Sequence, residues 1–275
     1  AAWFSFPMLI EVVFWGGLGL ICGSFANVLI NREGKSTILG RSACPQCGRT
    51  LEWYELFPVL SFVFLLARCR TCRARISWQY PTVETLTAVL FLVIGLSSLP
   101  IMFRILGCAI AFFLVAIAVY DLKTTVIPDR WSYSFAALAF VYGAIAFPSG
   151  GLGDFSLFAV SGPLVAAPLA FLWLVSHGRW MGLGDAKFML GAGWLLGIWG
   201  GYLALMIAFV SGAFVGVALI GITRLGMMAS PLTMKSEVPF GPFLILALCV
   251  VWFSAAYDLP LQAVILDFLS LSSWS

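Results

Sequence analysis

Two aspartates and four cysteines carry the chemistry this sequence can offer. Asp121 stands in Tyr120-Asp121-Leu122-Lys123 and Asp185 in Gly182-Leu183-Gly184-Asp185, each at the end of a long apolar segment. A carboxylate beside hydrocarbon is costly and by default marks a functional site. Two neighbouring carboxylates share a proton and titrate as a unit. The ionised one activates water and the protonated one polarises a scissile carbonyl, which is the minimum apparatus for hydrolysing a peptide bond. From residue types alone, Asp185 reads equally as the N-cap of a helix, and Asp121 as a solvated charge at a helix end. Gly182 and Gly184 would let a backbone come close to the Asp185 carboxylate. Gly-Leu-Gly-Asp also occurs at 151–154, after Pro148-Ser149-Gly150, where it reads as a flexible turn.

The cysteines form two CxxC pairs, Cys44-Pro45-Gln46-Cys47 and Cys69-Arg70-Thr71-Cys72. The arrangement is that of a four-cysteine zinc site with a slightly long gap between the pairs. In a reducing compartment zinc is favoured over disulfides. A redox CxxC has less support, because no βαβ pattern surrounds it. Four cysteine ligands leave no open position for water, so the metal would be structural, folding a loop too short and polar to hold itself. His177 is the sole histidine, which leaves metalloprotease and Ser–His chemistry little support.

The elements that must hold these residues are membrane helices. The 275 residues are 62% hydrophobic and 10% charged, with a mean hydropathy of +1.04. No soluble domain of this size hides that much apolar surface, so the fold expected is an all-α polytopic membrane protein. The apolar runs are continuous rather than alternating, which excludes a barrel. Eight spans are expected, at about 8–30, 80–98, 101–120, 131–147, 156–176, 186–199, 201–222 and 240–257, the sixth short and interrupted by glycine. Gly16, Gly17, Gly19 and Gly23 predict close helix contacts for the first span. No cleavable signal peptide is read at the start, since the first segment lacks a basic n-region.

The expected organisation is a first membrane helix over 1–30, a cytoplasmic zinc-binding loop over 31–79 and a membrane core over 80–275. Arg32, Lys35, Arg41, Arg49, Arg68, Arg70, Arg73 and Arg75 mark the 31–79 loop as cytoplasmic. Counting the spans from there puts Asp121 and Asp185 on the same cytoplasmic face. Within that loop, 56–67 is apolar but too short to cross the bilayer. It reads as an interfacial or re-entrant piece, or as the core of a small domain. The basic loop would sit on anionic headgroups.

Several stretches, in order, resemble the type IV prepilin peptidases. They are Gly19–Asn27 (GLICGSFAN), Cys44 to Glu84 with its two CxxC pairs, Tyr120-Asp121 followed by Ile127-Pro128-Asp129, Gly182 to Lys187 (GLGDAK) and Pro239 to Phe243 (PFGPF). The resemblance implies a bifunctional enzyme of the bacterial cytoplasmic membrane. Its substrates would be type IV prepilins or type II secretion pseudopilins. The enzyme would cut the leader after a glycine at the cytoplasmic face, then methylate the new N-terminus from S-adenosylmethionine. It also implies Asp121 and Asp185 as catalytic acids, Gly182 and Gly184 as the glycines of the GxGD motif, and Cys44, Cys47, Cys69 and Cys72 as zinc ligands. Ala67-Arg68 and Ala26 depart from the family pattern. For the methyl donor, no strand-flanked GxGxxG is present. The candidate contacts are Asn27 and Glu84, polar residues in or beside apolar spans; an interhelical hydrogen bond and an ion pair to a nearby arginine are the respective alternatives. The partners expected are the prepilin and the lipid bilayer, with no nucleic acid. A cleavage-only protease of the same motif, or a zinc-bearing scaffold without activity, are the competing readings.

Overall fold

The computed structural model describes residues 6–34, 40–146, 152–224 and 239–257. Among them every extended element is helical: α1 (Phe6–Arg32), a 3-10 turn (Trp53–Leu56), α2 (Leu60–Phe64), α3 (Gln79–Gly95), α4 (Ile101–Thr124), α5 (Asp129–Ala146), α6 (Leu152–Ser176), α7 (Leu183–Arg224) and α8 (Gly241–Ala256). Among the described residues the only β pairings are isolated bridges, Ala43 with Thr50 and Arg68 with Arg75. Four stretches among the described residues are long and apolar enough to cross a bilayer: Pro7–Arg32, Ile101–Thr124, Phe155–Ser176 and Leu183–Thr223. The helices α3 and α8 are also apolar but shorter, at 17 and 16 residues. The chain divides into two compact units, residues 1–119 and 120–275, with α4 running through the boundary.

In the first unit α1 and α3 pack antiparallel, and small residues set their separation. A Cβ on Gly19 would lie 2.6 Å from the Ala88 Cα, and one on Gly23 would lie 2.7 Å from the Glu84 Cα. The indole of Trp15 covers Gly95. Two of the four glycines expected at a helix contact are therefore there; Gly16 makes ordinary contact with Leu92, and Gly17 faces open space. Without a hydrophobic driving force in lipid, such close backbone approach is the main source of helix association. Arg104 donates to the carbonyls of Leu99 (2.7 Å) and Gly95 (3.0 Å). It thereby satisfies acceptors left open where α3 ends.

In the second unit α7 is the central element, packed on α5, α6 and α8. Its 42 residues would measure about 63 Å as one rod, twice the roughly 30 Å of a hydrocarbon core. It does not run as one rod. Gly197 sits at φ 72°, ψ −177°, a conformation open in practice to glycine alone, and breaks it in two. Two spans over this stretch are what the sequence predicts, although the break falls at Gly197 and not at residue 200. Before the break, Gly191 packs on Phe135 of α5, and Ser161 of α6 donates to the Gly193 carbonyl at 3.0 Å. Beyond it, Gly212 faces Phe240 and Phe243 at the start of α8. The second Gly-Leu-Gly-Asp differs from its expected turn: α6 begins at Leu152, so Asp154 lies in the first helical turn. Residues 148–150, Lys235 and the C-terminal tail after 257 lie outside the described residues.

Candidate active site and cysteine cluster

Asp185 lies within the field of Asp121, and a third element holds Asp121. Asp121 lies in the last turn of α4, which closes when the Thr125 N–H donates to the Asp121 carbonyl at 2.8 Å and Thr125 turns to φ 55°. Tyr120, beside it, meets Trp131 of α5 edge-on at 5.2 Å between ring centroids. The chain then buries Ile127 and Pro128 and enters α5 at Asp129. The second glycine of the GxGD motif rests on this link: a Cβ on Gly184 would lie 3.0 Å from the Ile127 Cβ. Lys187, one turn into α7, donates to Asp129 Oδ1 at 2.7 Å and stands 5.6 Å from the Tyr133 ring centroid. This clamp joins the α4–α5 link to the start of α7.

The Asp121 carboxylate is 3% exposed, so it is not the solvated helix-end charge that composition alone allows. Its Oδ2 accepts the backbone N–H of Gly241 at 2.9 Å. Gly241 opens α8, whose free N-terminal N–H groups suit an anion. Asp185 is the third residue of α7, not its N-cap, and its carboxyl accepts the backbone N–H of Gly182 just before the helix, a contact of the capping kind. Its half-buried carboxyl feels the charge of Asp121 and leans toward Gly182, where a Cβ would sit 3.7 Å from Oδ2. Sequence reasoning missed Gly241 as a site residue; its only signal was the Pro239–Phe243 motif.

Gly241 makes a sharp prediction. A Cβ there would lie 2.7 Å from Asp121 Oδ2 and 3.0 Å from its Cγ. Gly241→Ala should displace the carboxylate and lower peptide cleavage by about 10²-fold or more, the scale of a lost acid–base group. Gly216→Ala, on the same unit but in open space, should leave it unchanged. Comparable rates for the two variants in a membrane cleavage assay would remove Gly241 from the site.

Asn27 and Glu84, the two methyl-donor candidates, lie at the α1–α3 seam of the first unit and are both buried. Asn27 Nδ2 donates to the Tyr80 carbonyl at 3.1 Å and Gln79 Nε2 donates to Asn27 Oδ1 at 3.1 Å, which is the interhelical bonding pattern. Glu84 Oε2 accepts the Val59 N–H at 2.7 Å and its carboxylate also takes the Ser24 hydroxyl, so its partners are a backbone amide and a hydroxyl where an arginine was the alternative.

The four cysteines gather as their spacing predicts. All four sulfurs lie within 4.8 Å of one another, and Cys44 and Cys72 are 3.8 Å apart. Tetrahedral zinc with bonds of about 2.3 Å puts its sulfurs about 3.8 Å apart. The two CxxC turns are copies of one local structure. In the first, the Cys44 N–H donates to the Arg49 carbonyl (2.9 Å) and Gly48 to Cys44 (2.9 Å); in the second, Cys69 donates to Ala74 (2.8 Å) and Arg73 to Cys69 (3.0 Å). The corresponding Gly48 and Arg73 both have positive φ, 70° and 58°. Backbone N–H groups aimed at the buried sulfur of each turn favour thiolate. Those of Cys72 and Thr71 bring the Cys69 thiol down to about 6, and those of Cys47 and Gln46 lower that of Cys44. Paired thiolates at this spacing fit a structural metal ion. Glu55, one side-chain oxygen 2.5 Å from Arg49, braces the first turn.

Known proteins match most of this chain. Residues 18–98 match the family profile described as Bacterial Peptidase A24 N-terminal domain, and residues 108–217 the one described as Type IV leader peptidase family. A prepilin leader peptidase/N-methyltransferase of Aeromonas hydrophila is 30% identical over 83% of this chain and 85% of its own length. One of Vibrio cholerae is 29% identical over 89% of this chain and 97% of its own. One of Myxococcus xanthus is 36% identical over 76% of this chain and 63% of its own. No solved structure matches the chain significantly. With these matches running across both units, the chain belongs to the type IV leader peptidase family.

Proposed function

We propose that the protein is a membrane aspartic endopeptidase. It removes the leader of type IV prepilins or pseudopilins after a glycine at the cytoplasmic face, then methylates the new N-terminal amine from S-adenosylmethionine. The observation that carries the cleavage half is that Asp185 lies in the field of Asp121, with the Gly241 N–H on Asp121 and the Gly182 N–H on Asp185. Two neighbouring carboxylates share one proton, and we assign Asp121 as the base and Asp185 as the proton-bearing acid. Asp121 takes a proton from water as the water oxygen bonds to the scissile carbonyl carbon, and Asp185 gives its proton to the carbonyl oxygen. In collapse, Asp121 passes its proton to the leaving nitrogen as the C–N bond breaks. Asp185 recovers one from the diol as the C=O bond re-forms. Gly182, exposed beside the Asp185 carboxylate, leaves room for the extended substrate backbone, while Gly184 lets the start of α7 pack on Ile127.

We assign Cys44, Cys47, Cys69 and Cys72 as ligands of one structural zinc, with no open position for chemistry. The organisation we propose is a first membrane helix (1–30), a cytoplasmic zinc-binding loop (31–79) and a membrane protease core (80–275), multi-pass in the bacterial cytoplasmic membrane. The arginines of the 31–79 loop support that orientation. S-adenosylmethionine supplies an electrophilic methyl group when bound. Asn27 and Glu84 are the residues we assign to its contacts. The amine, with an ordinary pKa of about 7.7–8.0, presents neutral form near pH 7.

One observation favours a cleavage-only enzyme: Asn27 and Glu84 already have protein partners. Mass spectrometry of a prepilin incubated with enzyme-bearing membranes and S-adenosylmethionine separates the two. The bifunctional reading expects a product without its leader and one methyl group heavier. Asn27→Ala and Glu84→Gln should then lose methylation by about tenfold or more while cleavage holds, since a buried polar contact is worth about 1–3 kcal/mol. A cleaved, unmethylated wild-type product rejects the methyl-transfer half.

A further inference from the structure

The reaction makes no use of the most exposed apolar surface in the first unit. Leu60, Val63 and Phe64 occupy positions i, i+3 and i+4 of α2 and share one face. They are 56%, 59% and 81% exposed, and Leu66 just beyond is 81% exposed. On the other side of α2, Phe62 is buried against Trp78, 4.9 Å between ring centroids. A patch of this kind is not left facing water without a reason.

Its depth is set by a hydrogen bond. Val59, at the entry to α2, has φ 60°, an outlying value for a β-branched residue. Its N–H is held by Glu84 of α3 at 2.7 Å. Glu84 lies five residues into α3, about 7.5 Å from its first residue, Gln79, at 1.5 Å per residue. The 17 residues of α3 measure about 26 Å, less than the roughly 30 Å hydrocarbon core. A helix that short spans only with its first turn already at the hydrocarbon boundary, so the entry to α2 lies at or below that boundary. Immediately after the patch come Arg68, Arg70, Arg73 and Arg75, all exposed. Trp78, 73% exposed, stands where α3 starts, as interfacial tryptophans do.

We propose that α2 is an interfacial wedge, with Leu60, Val63, Phe64 and Leu66 in the bilayer boundary and the four arginines on anionic lipid phosphates. The cysteine cluster then becomes the frame that aims this wedge at the lipid. The arginines following Cys69 flank its turn, and Arg70 is braced by Tyr54 at 2.7 Å. Charge complementarity and continuity with the spanning helix favour lipid over a protein occupant. The inference is independent of the proposed reaction.

The test is photo-crosslinking of the full-length chain in nanodiscs, with p-benzoylphenylalanine replacing Phe64, Phe171 or Gln46 in turn. Phe171, 65% exposed on α6, is the membrane reference, and Gln46, exposed in the first cysteine turn, is the water reference. Position 64 should form lipid adducts within about twofold of position 171, and position 46 almost none. Adding phosphatidylglycerol to phosphatidylcholine should raise the yield at 64, and changing the four arginines to glutamine should abolish that rise. Adducts at 64 to the chain's own peptides, or to added prepilin, overturn the proposal. So does no adduct at 64 where 171 labels.

Discussion

Asp121→Asn and Asp185→Asn will each lower cleavage of a full-length prepilin in membranes by about 10²–10⁴-fold, the range of a lost general acid or base. Asp154→Asn will cleave at the wild-type rate. Asparagine keeps the size of aspartate, and at 121 its amide oxygen can still accept the Gly241 N–H. What it loses is the proton that the pair exchanges with substrate. A structural carboxylate would instead reveal itself as lower yield and a lower melting temperature, so both variants should melt as the wild type does. Asp154 repeats the tetrapeptide but opens α6, whereas Asp185 opens α7 within the field of Asp121. Cleavage by Asp185→Asn within tenfold of wild type would end the dyad assignment. Unchanged methylation of an already cleaved pilin by both variants would confirm that only the cleavage site was touched.

Removing the metal should produce the largest loss of structure. The stretch from residue 40 to 78 has one short helix, a 3-10 turn and two isolated bridges to hold it. Structural zinc sites contribute about 10–16 kcal/mol of apparent binding energy near neutral pH, and where no site exists in the unfolded chain that energy is folding energy. Protein purified under reducing conditions should carry one zinc per chain. Cys44→Ser and Cys69→Ser, which remove the buried ligand of each turn, should abolish zinc and open Arg68, Arg70, Arg73 and Arg75 to trypsin. The spanning helices should persist by circular dichroism. Metal-free wild-type protein with an equally trypsin-resistant loop would show that the loop folds without zinc.

Features set by local pattern were readable from the sequence. Apolar runs of bilayer length predict helices because the backbone has no other way to satisfy itself in lipid. Even the double nature of α7 follows from its length and glycines, with the break displaced to Gly197. The cysteine cluster was readable because its ligands are close in sequence and each turn folds around its own pair. Gly19 and Gly23 were readable as contact residues, but their partners Ala88 and Glu84 were not.

What escaped the sequence depends on separation along the chain. Gly241 lies 120 residues from Asp121, and nothing in either segment announces the bond. Nor does spacing reveal that Glu84 accepts from Val59 rather than pairing with arginine. Composition and periodicity determined that this chain is helical, membrane-embedded and equipped with two acids and a four-cysteine turn pair. Those properties follow from the solvent and from residues within a few turns of one another. Only the tertiary structure decided that Asp121 is buried, that it takes the Gly241 N–H, and that Asp185 stands inside a helix within its field. The reason is physical: a carboxylate's role is set by the groups packed around it, and here they arrive from helices far apart in the chain.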